Sequence, residues 1–202
     1  MGTFLDDELA ELKATLGSEF MQNIAEKDDL GLVIATTSLL DKFIGIVIML
    51  RFQVDITARS YERVFGFNGP LGTFAAKIDL GAALGVVIGD MAHDLGIMRK
   101  LRNEFAHAVY HPQLADGVMS ARCKSLRMRF ELSDAVKRAC KTDERSRLVE
   151  TTASLLLHLA AVIQRGMVER EFVKKHSQEI NEGAVAAFKE SVANANVTAP
   201  PT

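Results

Sequence analysis

The chain has 202 residues, of which 48% are hydrophobic and 25% are charged, and its formal net charge is −2. This length suits one domain with a well-buried core, and the balanced charge excludes a polyelectrolyte that binds nucleic acid by charge alone. The first residues, Met1–Glu8, are acidic, which a secretory signal is not. We therefore expect a cytoplasmic protein whose two cysteines, Cys123 and Cys140, are reduced.

The charge is unevenly distributed along the chain. Residues 1–98 contain seven Lys/Arg and fourteen Asp/Glu, residues 99–147 contain twelve and six, and residues 148–202 contain five and six. The basic side chains of the middle segment lie either on separate solvated helix faces, which we favour, or on one surface. A single basic surface would bind RNA, DNA or an acidic protein partner.

The sequence predicts an all-α protein. Proline occurs only four times, and long stretches are rich in residues that favour helices. We predict one domain over residues 1–190, a bundle of about seven to nine helices, followed by a disordered tail at 191–202. The predicted helical segments are Asp6–Leu16, Ser18–Ala25, Leu30–Phe52, Ile56–Val64, Leu71–Ile88, Leu95–Tyr110, 118–129, 132–141, 143–165 and 167–189.

The most apolar segment, Leu30–Phe52, has the length of a membrane span. Asp41 and Lys42 stand at its centre, however, and a charge in the centre of a bilayer costs about 3 kcal/mol. We therefore predict a buried central helix of a soluble bundle and no membrane span.

Turn and cap residues divide the following region. Asn68-Gly69 predicts a turn, and Pro70 suits the first position of the helix that follows it. In that helix Gly81, Gly85 and Gly89 recur every four residues, so a second backbone is expected along their stripe. That backbone lies within the chain or in another subunit, and we predict a homodimer or a higher even oligomer. Asp94 is the predicted cap of the next helix.

The segment 99–107 combines three kinds of polar side chain. At helical spacing Arg99, Asn103 and His107 share one stripe, and Arg102 lies about 100° round the helix from Asn103. A neutral imidazole could take the proton of a ribose 2′-hydroxyl while Arg102 stabilises the phosphate and Asn103 orients the ring. The alternative, which we favour, is structural: Asn103 and His107 hydrogen-bond across the bundle and Arg102 pairs with a carboxylate.

Other kinds of site are weakly supported. His107 and His111 have the spacing of metal ligands, but Pro112 is expected to end the helix, so we predict no metal site. The sequence contains neither a phosphate-binding glycine loop nor a nucleophile elbow, and we predict no cofactor. No helix-turn-helix stands out, which disfavours direct reading of DNA.

Two runs of sequence together resemble a known family. Residues 68–78, N-G-P-L-G-T-F-A-A-K-I, and residues 93–107, H-D-L-G-I-M-R-K-L-R-N-E-F-A-H, are similar to two motifs of the mannitol operon repressor family. The order and separation agree, and the resemblance covers about residues 25–165. It implies a transcriptional regulator that represses a sugar-alcohol operon, and the lack of a DNA-reading motif indicates that it acts through a protein partner.

The second run also resembles the R-x4-6-H motif of the wider HEPN superfamily of helical domains. In the ribonucleases of that superfamily an arginine, the polar residue after it and a histidine form the active site, usually at a dimer interface. Arg102, Asn103 and His107 occupy those positions here. The resemblance thus implies an alternative function, a metal-independent ribonuclease, although the residues favour a non-enzymatic regulator. Its predicted binding residues are Arg99, Arg102, Asn103, His107, Asn68, Gly69 and Pro70.

Overall fold

The computed structural model describes residues 4–15, 19–52, 57–108 and 112–197. Within these ranges the chain forms nine helices and no strand, which confirms the predicted all-α bundle. The helices are α1 (Phe4–Thr15), α2 (Phe20–Ala25), α3 (Asp29–Arg51), α4 (Ala58–Phe65), α5 (Phe74–Ala83), α6 (Gly89–His107), α7 (Gly117–Ser125), α8 (Asp134–Cys140) and α9 (Asp143–Val197).

The chain divides into two compact units, residues 1–163 and 164–202. The second unit consists, as far as it is described, of the later part of α9. Helix α9 continues to Val197, and residues 198–202 lie outside the described residues. The predicted single domain over 1–190 and the predicted tail over 191–202 therefore stay predictions.

Helix α3 lies at the centre of the first unit. It begins after Asp28, whose carboxylate accepts a hydrogen bond from the amide of Gly31 at 2.8 Å. Fourteen of its 23 residues are buried, and it contacts α1, α2, α5 and α6. The buried hydroxyls of Thr36 and Thr37 donate to the carbonyls of Leu32 and Val33, one turn earlier, at 2.8 and 2.7 Å. The predicted burial of this helix is confirmed.

The two charges near the middle of α3 have partners on neighbouring helices. Lys77 of α5, whose side chain is only 5% exposed, places its Nζ 3.0 Å from the carboxylate of Asp41. Lys42 pairs with Glu8 of α1 at 3.2 Å. Such pairing is what allows charged groups to lie against a protein core.

Two helices, Asp29–Arg51 and Asp143–Ala187, are long and apolar enough to cross a membrane by length and composition. The core helix of a soluble protein meets the same criterion. In Asp29–Arg51, 72% of the apolar window is buried within the protein. Packing in the bundle therefore accounts for its hydrophobicity.

The connection between α4 and α5 differs from the prediction. Pro70 lies in a turn, and α5 begins at Phe74, after Thr73 accepts a hydrogen bond from the Ala76 amide at 3.1 Å. The chain between the helices is folded back on itself by three backbone hydrogen bonds of 2.8 to 3.0 Å, from Gly69 to Gly66, Leu71 to Val64 and Gly72 to Gly69. This tertiary turn overrides the preference of proline for the first helical position.

The predicted glycine stripe is also not present. Helix α5 ends at Ala83, and Gly85 and Gly89 have φ angles of +67° and +56°, in the left-handed region that favours glycine. The Val86 amide bonds the Gly81 carbonyl at 2.9 Å and the Gly85 amide bonds the Ala82 carbonyl at 3.0 Å, which is a Schellman helix end. The glycines end one helix and begin the next, so they do not support a dimer contact.

Asp94 does not cap a helix, because α6 already begins at Gly89. Its carboxylate is fully buried and accepts hydrogen bonds from the backbone amides of Arg127, at 3.0 Å, and Met128, at 2.7 Å. The hydroxyl of Thr151 in α9 donates to the Met128 carbonyl at 3.0 Å. Asp94 therefore fixes the irregular segment between α7 and α8 against α6.

Helix α9 is continuous where two helices, 143–165 and 167–189, are predicted. Gly166 lies within it and does not interrupt it. A single glycine in a helix costs about 1 kcal/mol, and unlike proline it keeps its amide donor, so neighbouring helix formers can maintain the helix.

The start of α9 is fixed by a buried arginine. Arg145 is 7% exposed and forms an ion pair with Asp29. Its other terminal nitrogen donates to the backbone carbonyls of Ala25, at 2.8 Å, and Lys27. The second carboxylate oxygen of Asp29 accepts the amide of Leu114 at 2.7 Å. One network thus joins α9 to the α2–α3 junction and to the loop before α7.

We predict that Asp94→Ala lowers the free energy of unfolding by about 3 kcal/mol, because two backbone amides lose a charged acceptor in the interior. The matched control is Asp90→Ala, which removes an exposed ion pair to the Arg127 side chain and costs at most about 1 kcal/mol. Urea denaturation followed by circular dichroism measures both. Equal losses in the two variants would contradict this role of Asp94.

We predict that neither cysteine reacts with Ellman's reagent in the folded protein at about pH 8. Burial is the main cause that raises the pKa of Cys123 to about 12, and burial also raises the pKa of Cys140. Because the thiolate is the reactive form, both thiols stay inert until unfolding exposes them. In concentrated guanidinium chloride both cysteines react. Rapid labelling of the folded chain would contradict this placement.

Candidate functional site: the polar surface of α6

Helix α6 separates its apolar and polar positions. The apolar positions Met91, Leu95, Met98, Leu101 and Phe105 are all buried. This register places Arg99 and Arg102 at the edge of the core, where they are half-buried, and leaves Asn103 and His107 exposed. The stripe predicted from helical spacing therefore faces away from the core.

The side of α6 next to α7 has its polar groups paired. The Nε2 atom of His93 lies 3.1 Å from the carbonyl oxygen of Ser125, at the end of α7. Glu104 accepts a hydrogen bond from Arg122 of α7 at 3.0 Å. These contacts give His93 a fixed structural role, which the sequence does not indicate.

The four predicted site residues of α6 are unpaired. In the part of the chain that the structure describes, the side chains of Arg99, Arg102, Asn103 and His107 have no hydrogen bond or ion pair. The favoured structural alternative, in which Asn103 and His107 bond across the bundle and Arg102 pairs with a carboxylate, therefore finds no support among these residues. Asn103 also does not orient the ring of His107, as the catalytic alternative would require.

Half of the cations in the basic segment 99–147 form ion pairs. Six of its twelve cations have a carboxylate oxygen within 4.0 Å: Arg122, Lys124, Arg127, Arg129, Arg145 and Arg147. Their partners lie on α3, α6 and α9. Among the described residues, no ion pair is found for the other six, which are Arg99, Lys100, Arg102, Lys137, Arg138 and Lys141. The cations thus lie on several helices and the segments that connect them, as in the favoured interpretation of the charge pattern.

The loop after α4 presents an aromatic side chain. Phe67 is 93% exposed, and Asn68 and Pro70 beside it are exposed too. The backbone below them is crowded: a Cβ at Gly66 would lie 2.2 Å from the Glu62 carbonyl oxygen, which only glycine avoids. Phe67 was not among the predicted binding residues, because nothing in the sequence distinguishes an exposed aromatic residue from a buried one at this position.

The predicted binding residues fall into two groups. Asn68, Gly69 and Pro70 belong to the loop, and the others belong to α6. Among the described residues, no hydrogen bond or ion pair links the loop to the polar positions of α6. The structure thus gives two separate elements, each without an internal partner for its outward-facing groups.

Cofactor and metal chemistry have little support in the described residues. No group of three or more His, Cys, Asp and Glu side chains that could hold a metal ion is found in these ranges. His111 lies outside them, so the His107–His111 spacing stays untested. A cavity of about 530 Å³ lies beside the start of α3, and its walls balance three cations against three carboxylates. The cavity is lined by Glu26, Lys27, Asp28, Asp29, Leu30, Pro112, Gln113, Ala115, Lys141, Thr142 and Arg145.

Comparison with known proteins adds a distant likeness of fold. No family model matches the chain, and no similar curated protein is found. Among solved structures, the chain is similar to the complex of MtlR with HPr from Escherichia coli, determined by X-ray crystallography. The sequence identity is 21% and the TM-score 0.47, over 81% of this chain and 98% of that chain. The likeness concerns the arrangement of helices.

Proposed function

We propose that this chain is a non-enzymatic regulator that binds a protein partner through the polar surface of α6. The observation that carries the proposal is that Arg99, Arg102, Asn103 and His107 have no partner among the described residues, whereas His93 and Glu104 of the same helix are bonded to α7 and its end. Two half-buried guanidinium groups without a carboxylate are partly desolvated already. A partner that supplies carboxylates would therefore gain charge-assisted hydrogen bonds at a small additional desolvation cost.

An acidic protein fits this surface better than a nucleic acid does. Affinity for a phosphate backbone grows with the number of cations that contact it, and six of the twelve cations in the basic segment are already neutralised. A few unpaired cations beside an amide and an imidazole match the carboxylates and carbonyls of a folded protein.

The finer proposal is repression of genes for a sugar alcohol. It rests on the resemblance of residues 68–78 and 93–107 to the mannitol operon repressor family. Repression through a protein partner agrees with the lack of a recognisable DNA-reading helix in this sequence. The protein would act in the cytoplasm.

We predict that a photo-crosslinking amino acid at Asn103 of the full chain, expressed in its native cells, forms an adduct with one discrete protein. The same amino acid at Lys137, an exposed position on α8 without a predicted role, serves as the matched control and gives no such adduct. Mass spectrometry identifies the captured protein. Adducts with RNA at position 103, or identical patterns at both positions, would contradict the proposal.

The captured partner permits a quantitative test with purified proteins. Arg102→Ala should weaken binding about tenfold to a hundredfold, because a charge-assisted hydrogen bond contributes about 1.5–3 kcal/mol. Arg127→Ala, which removes a cation already paired with Asp90, should leave the affinity nearly unchanged. Calorimetry measures both, and equal effects would show that the α6 surface is not the binding site.

The rival function, a metal-independent ribonuclease, predicts a different result from the same residues. We expect that the purified protein does not cleave RNA in EDTA, since Asn103 does not hold the His107 ring. Cleavage by the wild type that is lost in both Arg102→Ala and His107→Ala would replace the regulator with the nuclease.

Deletion of the gene should raise transcripts of a carbohydrate operon, and wild type but not Arg102→Ala should restore repression.

A further inference from the structure

The later part of α9, residues 164–189, exposes many apolar side chains. The exposed large ones are Met167, Val168, Phe172, Val173, Ile180 and Val185. Within this unit no second helix is described that could cover them. Because an isolated helix is marginally stable in water, most helices of this length bury one face against a partner.

The apolar and small residues form a regular stripe. Val173, Ser177, Ile180, Ala184 and Ala187 follow one another at intervals of four, three, four and three residues, and all are exposed. This spacing is that of the core positions of a coiled coil. The small side chains among them allow close approach of another helix. Val185 lies about 120° round the helix from Val173, away from this stripe.

The charges along the same segment indicate which partner would pack against this stripe. Residues 164–176 contain four Lys/Arg and two Glu, whereas residues 177–190 contain three Glu and one Lys. The first half is therefore positive and the second half negative. A second copy that runs antiparallel places each positive half against a negative half, and a parallel copy places like charges together. The change of sign falls at residues 176–177, between Val173 and Ile180, the two large apolar residues of the stripe.

We propose that a second copy of this chain packs antiparallel against the stripe of α9, with the two-fold axis near His176 and Ser177. Val173 of one copy then meets Ile180 of the other, as an isologous interface requires. The proposal does not depend on the α6 surface. It gives the homodimer a contact that the glycines of α5 do not provide.

Light scattering on the full chain tests the interface. We expect the wild type to have twice the monomer mass of 22.1 kDa. Val173→Glu and Ile180→Glu, each at an exposed position, should give monomers. The main thermal unfolding transition, followed by circular dichroism, should keep its midpoint, because the core of the first unit is unchanged. Val185→Glu, exposed but off the stripe, should stay dimeric. A wild-type monomer at high concentration, or equal dissociation by Val185→Glu, overturns the proposal.

Cysteine cross-linking tests the direction of pairing. In an antiparallel pair Ser177→Cys lies beside its own copy near the two-fold axis, so mild oxidation should link the two chains. Arg165→Cys lies far from the axis and should not link to itself. The buried native thiols contribute little background, because burial keeps Cys123 and Cys140 protonated. Cross-linking of Arg165→Cys instead of Ser177→Cys would overturn the antiparallel arrangement.

Discussion

Helix α3 can lie at the centre of the bundle because its buried hydroxyls and the two charges near its middle have partners within the protein. The hydroxyls of Thr36 and Thr37 bond to the backbone one turn earlier, and Asp41 and Lys42 find partners on α5 and α1. A charge left alone in this environment would be strongly destabilising. These pairs therefore help to hold α5 and α1 against α3 in a defined register.

The same requirement explains why the polar surface of α6 stands out. Elsewhere in the described first unit, the buried or half-buried charges that pack between helices have defined acceptors. Arg145 reaches Asp29 and two carbonyls, and Asp94 holds two backbone amides. By contrast, Arg99 and Arg102 are half-buried and have no carboxylate partner among the described residues. Such guanidinium groups can form charge-assisted hydrogen bonds to a carboxylate of another molecule.

Local sequence patterns predict the helices well because hydrophobic periodicity is a local property. The fold class, the buried α3 and the common stripe of Arg99, Asn103 and His107 on one helix follow from it. Pro70, Gly85 and Asp94 were misassigned because each residue has two common uses, and only tertiary contacts select between them. In the candidate site, too, some features are local and others depend on tertiary contacts. Its residue types are visible in the sequence, but the absence of partners for Arg102 depends on which carboxylates the other helices bring near.

The crowded glycine turn after α4 has a consequence for how this loop can change during evolution. Cβ atoms at Gly66, Gly69 and Gly72 would each lie within 2.4 Å of a carbonyl oxygen, so these positions do not accept other residues without moving the backbone. Phe67, between two of them, is 93% exposed and is free of such constraints. The backbone therefore holds a constant shape, while the side chain at its tip can be replaced at little cost to folding.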